Sequence, residues 1–430
     1  MIMVLIIRWI SEDGKRKWLY PVEKDIHTKG KIAKQISSKA KVIGITKVNI
    51  PSPMHPIIPY NILLLEDEHG NRLPKKVMSK YEIGDMYETK AAESDGAVVI
   101  TKVKYDIEEF LKQSLSYIKD YSVSSENKVL ICPSIIEPAY GYQAVTTNPK
   151  VVDALIKILK EKGVSDIKVG TSAMLGNDVT ESAKKAGIIS ICQKNEIEFV
   201  DLSKGEFVEV EKDDKKYCIS KEISERKIIN LPVFKTNSQI GLSGAMENLI
   251  RVCDKKTQKE LFDGNINETL PGLIGALPDM LHICDGTIGL QGNGPTILGE
   301  PAFLNMVFLS KDAIALDSVL THMSMIDVPE YIKNAGNVGN NKIKSIEIVG
   351  DELEAIRFHI KAANQETAHP NIELIDGYAN PEDYSTALKI SGKLFGLLGH
   401  RMFLVIGKHL SKDMIAEKDR LVAYGSDSIN

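Results

Sequence analysis

Lys235, Asn237, Ser243 and Glu247 fall in one stretch, KIINLPVFKTNSQIGLSGAMENLIRVCD (Lys227 to Asp254), and their types suit the binding of a small acid. A lysine supplies a compact positive charge, amides and hydroxyls supply hydrogen bonds, and a carboxylate can move protons if burial raises its pKa. The stretch reads as strand, turn, helix. An apolar run from Ile228 to Phe234 ends at Lys235, Gly241 and Gly244 mark a turn, and a helical pattern runs from Ala245 to Val252. A helix that begins directly after a glycine turn aims free N–H groups and the positive end of its dipole at one spot. Lys235, Asn237, Gly241, Ser243, Gly244 and Asn248 are therefore predicted to surround a bound anion, with Glu247 in the first helical turn. Plainer roles compete: Lys235 as a solvated strand-end residue, Glu247 as a complement to the helix dipole, Asn248 as a local cap.

A second candidate is DGTIGLQGNGPTILGEP, which is too rich in glycine for an ordinary connector. Read as a loop, it would let backbone approach a ligand closely at Gly289, Gly292 and Gly294, with Gln291 and Asn293 between them. Asp285 opens this run, and Asp312 stands near the start of the helical pattern KDAIALDSVLTHM. Together with Glu247 they are the candidate proton carriers, although Asp312 also suits a helix N-terminus and Asp317 suits packing or capping of a neighbour. Thr171 and Ser172 end another strand, where hydroxyls serve either a helix cap or a substrate. No metal site is predicted. The nine histidines form no HxH or HExxH pattern, and the five cysteines (Cys132, Cys192, Cys218, Cys253, Cys284) form no zinc or iron–sulfur motif. Any cofactor is left unknown.

The elements that must position these residues follow from hydrophobic periodicity. Residues 4 to 22 read as a hairpin turning at Asp13-Gly14, followed by short strands at Lys41–Val48, Tyr60–Glu66, Arg72–Val77 and Ala97–Tyr105. Together they suggest a small β-barrel over residues 1–105. DIEEFLKQSLSYIKDY then reads as a linker helix, within residues 106–127. From Lys128 strands alternate with helices: KVLICPS; a helix starting at Thr147 or Asn148 with Pro149 in its first turn and ending at Gly163; DIKVGTS; and so on to IEIVG. That pattern implies a mainly parallel sheet with helices on both faces over residues 128–355, with ligands outside the carboxyl ends of the strands. Residues 203–226 read as an inserted hairpin, and residues 356–430 as an extension packing on the α/β domain.

Two resemblances support this division. The run IPYNILLLEDEHGNRLPKKV with YEIGDMYE, from about Lys41 to Glu88, resembles the oligonucleotide-binding-type barrel of the domain of unknown function number 35. That resemblance implies association with thiolase-like or acyl-CoA enzymes. The zinc ribbon usual in that family is not carried over, because residues 1–40 hold no cysteine. From Lys128 to Gly350 the chain resembles the prokaryotic domain of unknown function number 362. The motifs that carry it are TTNPKVVDALIKILKEKG, INLPVFKTN with LSGAMENLI, DGTIGLQGNGP and SKDAIALDSV. GLSGAMEN is also similar, more distantly, to a segment of nickel-dependent lactate racemases, which tether a pincer cofactor through lysine. Here Glu247 stands where a lysine is common, Asn148 where a histidine or aspartate is common, and Cys132 to Ser134 where KPN is common. A tethered cofactor, a catalytic imidazole and that basic residue are therefore not carried over.

At 430 residues, with 43% hydrophobic and 26% charged content and a net charge of -4, the chain has no basic field for nucleic acid. Its apolar segments are short or interrupted by charge, which argues against a membrane span. The sequence thus points to a cytoplasmic α/β protein preceded by an oligonucleotide-binding-like barrel. Its expected ligand is a small anion, an organic acid or acyl thioester; the alternative is a non-catalytic subunit docking a thiolase-like or acyl-CoA enzyme.

Overall fold

The computed structural model describes residues 6–11, 14, 17–18, 32–37, 39–87, 90–103, 106–173, 177–212, 214–336 and 343–363. The predicted first hairpin is present as β1 (Ile6–Ser11) and β2 (Lys17–Trp18), and β3 (Ile32–Ser37) pairs with the other side of β1. Gly14 supplies the positive φ of the turn, and its N–H donates to the Ser11 carbonyl at 2.8 Å. A second antiparallel sheet holds β4 (Ala40–Val48), β5 (Tyr60–Asp67), β6 (Arg72–Val77) and β7 (Met86–Tyr87) in the order β6-β5-β4-β7. Its inner face packs Val42, Leu63, Leu65, Val77 and Tyr87. Ser37 donates to Asp67 at 2.5 Å and so ties the two sheets together. Among the described residues the two remain separate, and no strand pairing closes them into a barrel.

The run expected as a further barrel strand, β8 (Val98–Lys102), instead lies deep in the large sheet. After it come α1 (Ile107–Tyr117), β9 (Lys128–Pro133), α2 (Pro149–Glu161), β10 (Asp166–Thr171), α3 (Val179–Ala186), α4 (Ile188–Lys194) and β11 (Glu198–Asp201). The predicted hairpin follows as β12 (Phe207–Lys212) and β13 (Lys215–Ser220), then α5 (Lys221–Glu225), β14 (Lys227–Leu231), β15 (Val233–Asn237) and β16 (Gly241–Ser243). α6 (Ala245–Asn248) runs into a 3₁₀ turn (Leu249–Val252), before α7 (Lys255–Asp263), α8 (Ile266–Ala276), β17 (Leu281–Gly292), β18 (Gly299–Ala302) and β19 (Met306–Ser310). α9 (Ala313–Ser324), α10 (Glu330–Gly336), β20 (Ile348–Gly350) and α11 (Leu353–Ile356) complete the described chain.

The large sheet has the main path β11-β10-β9-β14-β17-β19-β8-β20, parallel except for β19, which opposes both β17 and β8; off this path β15 pairs parallel with β17, while β16 and β18 pair antiparallel with β15 and β17. Because side chains alternate along a strand, each strand serves two cores. Val129, Ile131, Ile229, Ile283 and Val307 face α1, α2 and α4, whereas Leu130, Cys132, Ile228, Cys284 and Phe308 face α6, α8 and α9. Helices thus cover both faces, as predicted. α1 is one of these covering helices and buries Phe110, Leu111 and Leu115 in the first core. Each fully buried leucine or isoleucine contributes on the order of 1.5–3 kcal/mol before the entropy of ordering is subtracted. α2 begins as predicted: Asn148 accepts from Lys150 N at 3.0 Å and Pro149 takes the first position, where no N–H is needed.

The expected single strand from Ile228 to Phe234 is two strands. Pro232 has no N–H for the ladder of a central strand, so β14 ends before it and β15 begins after it. Of the expected C-terminal extension, Phe358 and Ile360 donate their N–H groups to the carbonyls of Met323 and Ser324 in α9. Residues 364–430 lie outside the described residues.

Candidate functional site

Every residue of β15 is buried, because β15 pairs with both β16 and β17 at the carboxyl end of the sheet. Lys235 is therefore not a solvated strand end: it is 1% exposed. Its Nζ donates to Ser134 Oγ at 2.7 Å and to the Val145 carbonyl at 3.4 Å, both in the segment that leads from β9 to α2. That segment is fastened by Thr147, whose Oγ1 donates to the Leu231 carbonyl and accepts from Ser134 N. Burial lowers the Lys235 pKa to about 8, Glu247 pulls against that shift, and Arg251 reinforces it.

The open anion seat expected at the start of α6 is occupied by the protein itself. Asp317, from α9, accepts from Ala245 N at 2.6 Å and Met246 N at 3.1 Å. Tyr331 OH donates to the Leu242 carbonyl at 3.0 Å and reaches Asp317 Oδ2 at 3.4 Å. Despite these donors, burial raises the Asp317 carboxyl to about 7. Gly244 leaves the room for this contact, since a Cβ there would fall 2.1 Å from Asp317 Oδ1. Gly244→Ala should therefore destabilise the fold by about 3 kcal/mol through overpacking; a urea midpoint equal to wild type would show that Asp317 can withdraw.

Glu247 and Arg251 point into the same buried region as Lys235. They pair at 3.3 Å one helical turn apart, each about 4% exposed. Arg251 Nη1 and the hydroxyl of Thr146, the neighbour of Val145, have no hydrogen-bond partner. Ser172 accepts from Gln258 and donates to the Arg251 carbonyl at 2.9 Å, so the end of β10 positions the arginine; Thr171 is the buried last residue of that strand.

Other predicted ligand residues hold the scaffold. Asn237 Oδ1 accepts from Gln239 N and Ile240 N, and its Nδ2 donates to Ser243 Oγ at 2.9 Å, which closes the β15–β16 turn at Gly241 (φ +86°). Asn248 Nδ2 donates to the Cys132 carbonyl and to Asn230 Oδ1. Asn230 Nδ2 in turn bonds the Ala245 carbonyl and lies 3.0 Å from His282 Nδ1. Burial lowers the His282 pKa to about 3, so the ring is neutral and Nδ1 accepts. Sequence reasoning missed Ser134, Asn230, Arg251 and His282. The available signal was a polar residue interrupting an apolar run, as in KIINLP, LIRV and LHICDG.

The predicted glycine loop is strand β17 as far as Gly292. Its glycines admit the protein's own chain: a Cβ on Gly289 would lie 2.9 Å from Phe234 Cδ1, and one on Gly294 2.1 Å from the Thr236 carbonyl oxygen. Gly292 N donates to the Lys361 carbonyl, Gln291 Oε1 accepts from Lys361 N at 3.1 Å, and Asn293, the next residue, is half-buried. Asp285 accepts from Asn148 N, Thr287 N and Thr287 Oγ1, which anchors the start of α2; burial raises its pKa and these bonds oppose the rise. Asp312 caps α9 through Ile314 N and Ala315 N. It lies two residues after Ser310, which pairs with His282 near the start of β17, whereas Lys235 pairs with Leu290 near the end of that strand, so the two lie toward opposite ends of the strands. Of the three predicted proton carriers, only Glu247 joins the lysine.

A surface cavity of about 270 Å³ is lined by Lys204, Glu206, Ser220, Lys221, Glu222 and Glu225 and by none of the residues above. Among the described residues no cluster of His, Cys, Asp or Glu could hold a metal ion, and no helix is long and apolar enough to cross a membrane. Residues 129–322, a little under half of the chain, match the model of the family described as Domain of unknown function (DUF362). The matched segment contains β9 to α6, β17 and most of α9, and it leaves the two N-terminal antiparallel sheets outside. Comparison with curated proteins and with solved structures gives no match.

Proposed function

We propose that this protein is an enzyme that binds a small organic anion, an organic acid or an acyl thioester, at the buried cluster of Lys235, Glu247 and Arg251. The observation that carries this reading is the unpartnered Nη1 of Arg251 in that cluster; the hydroxyl of Thr146, next in sequence to the Val145 whose carbonyl receives Lys235, is unpartnered as well. A buried polar group left unpaired costs about 1–3 kcal/mol, more when charged, and a carboxylate or thioester oxygen would recover that cost. Lys235 and Arg251 offer two buried cations to an anion, Glu247 and Glu137 balance part of that charge, and Glu247 stands ready to exchange protons. The place agrees with the general rule that such sheets bind ligands outside the carboxyl ends of their strands. Native mass spectrometry of gently purified protein should reveal a bound metabolite. Lys235→Ala should abolish the thermal shift produced by that metabolite, and an unchanged shift would remove the site from this cluster.

A second reading is favoured by the apolar surface of the N-terminal region, where Ile50 is 80% exposed, Ile83 71% and Met54 59%. In it the N-terminal sheets, as an oligonucleotide-binding-like module, dock a thiolase-like or acyl-CoA enzyme in the cytoplasm. Co-purification with such an enzyme, and turnover only in its presence, would support it; a chain that stays alone in pull-downs would count against it.

A further inference from the structure

We propose that Lys235 is a covalent site, and that the anion held in this cluster is a 2-oxo acid whose keto carbon forms a Schiff base with Nζ. The inference rests on the anion-binding reading above and narrows it to carbonyl-bearing acids.

The arrangement of neighbours separates a nucleophile from a clamp. A lysine that only clamps an anion works best when it stays charged, and arginine performs that task with better geometry and without losing its proton. Here the arginine is present as well, and the carboxylate of the cluster pairs with Arg251 at 3.3 Å, whereas Lys235 is given neutral partners, a serine hydroxyl and a backbone carbonyl. Lys235 is thus held in a fixed position, almost fully buried, and among the described residues it has no direct ion pair to keep it protonated. Those are the conditions under which an amine becomes a nucleophile. A 2-oxo acid matches the remaining groups. Its carboxylate suits the unpartnered Nη1 of Arg251, and its keto oxygen suits a hydroxyl donor such as Thr146.

The step balances without an oxidant or reductant. The neutral Nζ lone pair forms a bond to the keto carbon, the C=O π pair moves to oxygen, and that oxygen takes a proton to give the carbinolamine. Nζ releases one of its protons, for which Glu247 is the nearby acceptor. The hydroxyl then leaves with a second proton as water, and the nitrogen lone pair closes the C=N bond. The iminium nitrogen carries the positive charge that the ammonium carried before, so the cluster ends with its charge unchanged.

The test is reductive trapping on the full chain. Protein is incubated with pyruvate, oxaloacetate or 2-oxoglutarate, treated with sodium borohydride, digested and mapped by mass spectrometry. The expected result is a reduced adduct on the peptide containing Lys235 with at least one of the three acids, absent without borohydride and absent in Lys235→Arg. Labelling confined to surface lysines, or no labelling with any of the three, overturns the Schiff base. A thermal shift by the same acids, measured in parallel on wild type and Arg251→Lys, separates the two readings. A shift weakened by Arg251→Lys but without an adduct at Lys235 leaves anion binding standing and removes only the covalent step; absence of both overturns the inference together with its premise.

Discussion

Asp317→Ala is expected to cost about 3–5 kcal/mol of folding stability, among the largest effects of any single substitution in this chain. The carboxylate is fully buried and receives Ala245 N and Met246 N, with Tyr331 OH 3.4 Å from Oδ2. Its removal would strand those donors and leave a void against Gly244. Asp317→Asn keeps the shape and offers one carbonyl oxygen, so it should cost less and should change the pH dependence instead. The folded carboxyl is raised from 3.8 to about 7, mainly by burial. Between those values the native state holds a proton that the unfolded chain has released, so this group's contribution is greatest at low pH and falls as pH rises to about 7. Urea midpoints from pH 5 to pH 8 should therefore fall in the wild type more than in Asp317→Asn. Equal slopes in the two proteins would show that Asp317 is not the titrating group.

Breaking the buried pair between Lys75 and Asp351 should have the second large effect, about 3 kcal/mol for Lys75→Met, because it removes the direct counter-ion of a buried carboxylate and leaves only Lys102 to offset it. The ammonium lies 2.5 Å from Oδ1, with side-chain exposures of 19% and 8%, and Oδ2 accepts from Lys102 N at 2.9 Å. The adjacent Glu352 carboxylate takes Met78 N and Ser79 N. Three residues on β6 and just beyond it, Lys75, Met78 and Ser79, are thereby fastened to the residues that follow β20, and Asp351 is bonded to β8 as well. Burial would raise the Asp351 pKa, but Lys75 and Lys102 outweigh it and the net shift is downward. The stabilisation is therefore present above the ordinary carboxylate range and is lost as pH falls through the lowered folded value. The double variant Lys75→Met, Asp351→Leu should lose clearly less than the sum of the single variants in denaturant titrations. Simple additivity would mean that the pair contributes nothing as a pair.

The local signals in the chain were good guides to local structure. Asn148 and Pro149 start α2, Asp312 caps α9, Gly14 turns the first hairpin, and the strand–helix alternation after Lys128 gives the parallel sheet with covered faces. What sequence could not supply were partners distant along the chain. Nothing near Ala245 announces that Asp317, 72 positions later in the bond to its N–H, fills the helix start. The glycines of DGTIGLQGNGP read as room for a ligand because the chain that occupies the room, at Phe234 and Thr236, is not adjacent in sequence. The competing reading of Lys235 as a solvated strand end could not be set aside from sequence, because its burial depends on β16 and β17 closing around β15.

The position of β8 bears on how the molecule can be divided and how it must assemble. This strand is made early, yet its neighbours β19 and β20 come from more than two hundred residues later. Synthesis must therefore pass residue 350 before the sheet has its full complement, and a ribosome-bound chain would expose β8's apolar faces until then. For the same reason the stretch from residue 129 to 322 is not a separable module: excised, it would present β19, every residue of which is buried in the whole sheet, as a bare edge where β8 belongs. Supplying residues 90–127 as a second polypeptide should restore solubility to such a fragment by strand addition, in the way an extended peptide completes any sheet that lacks its neighbour.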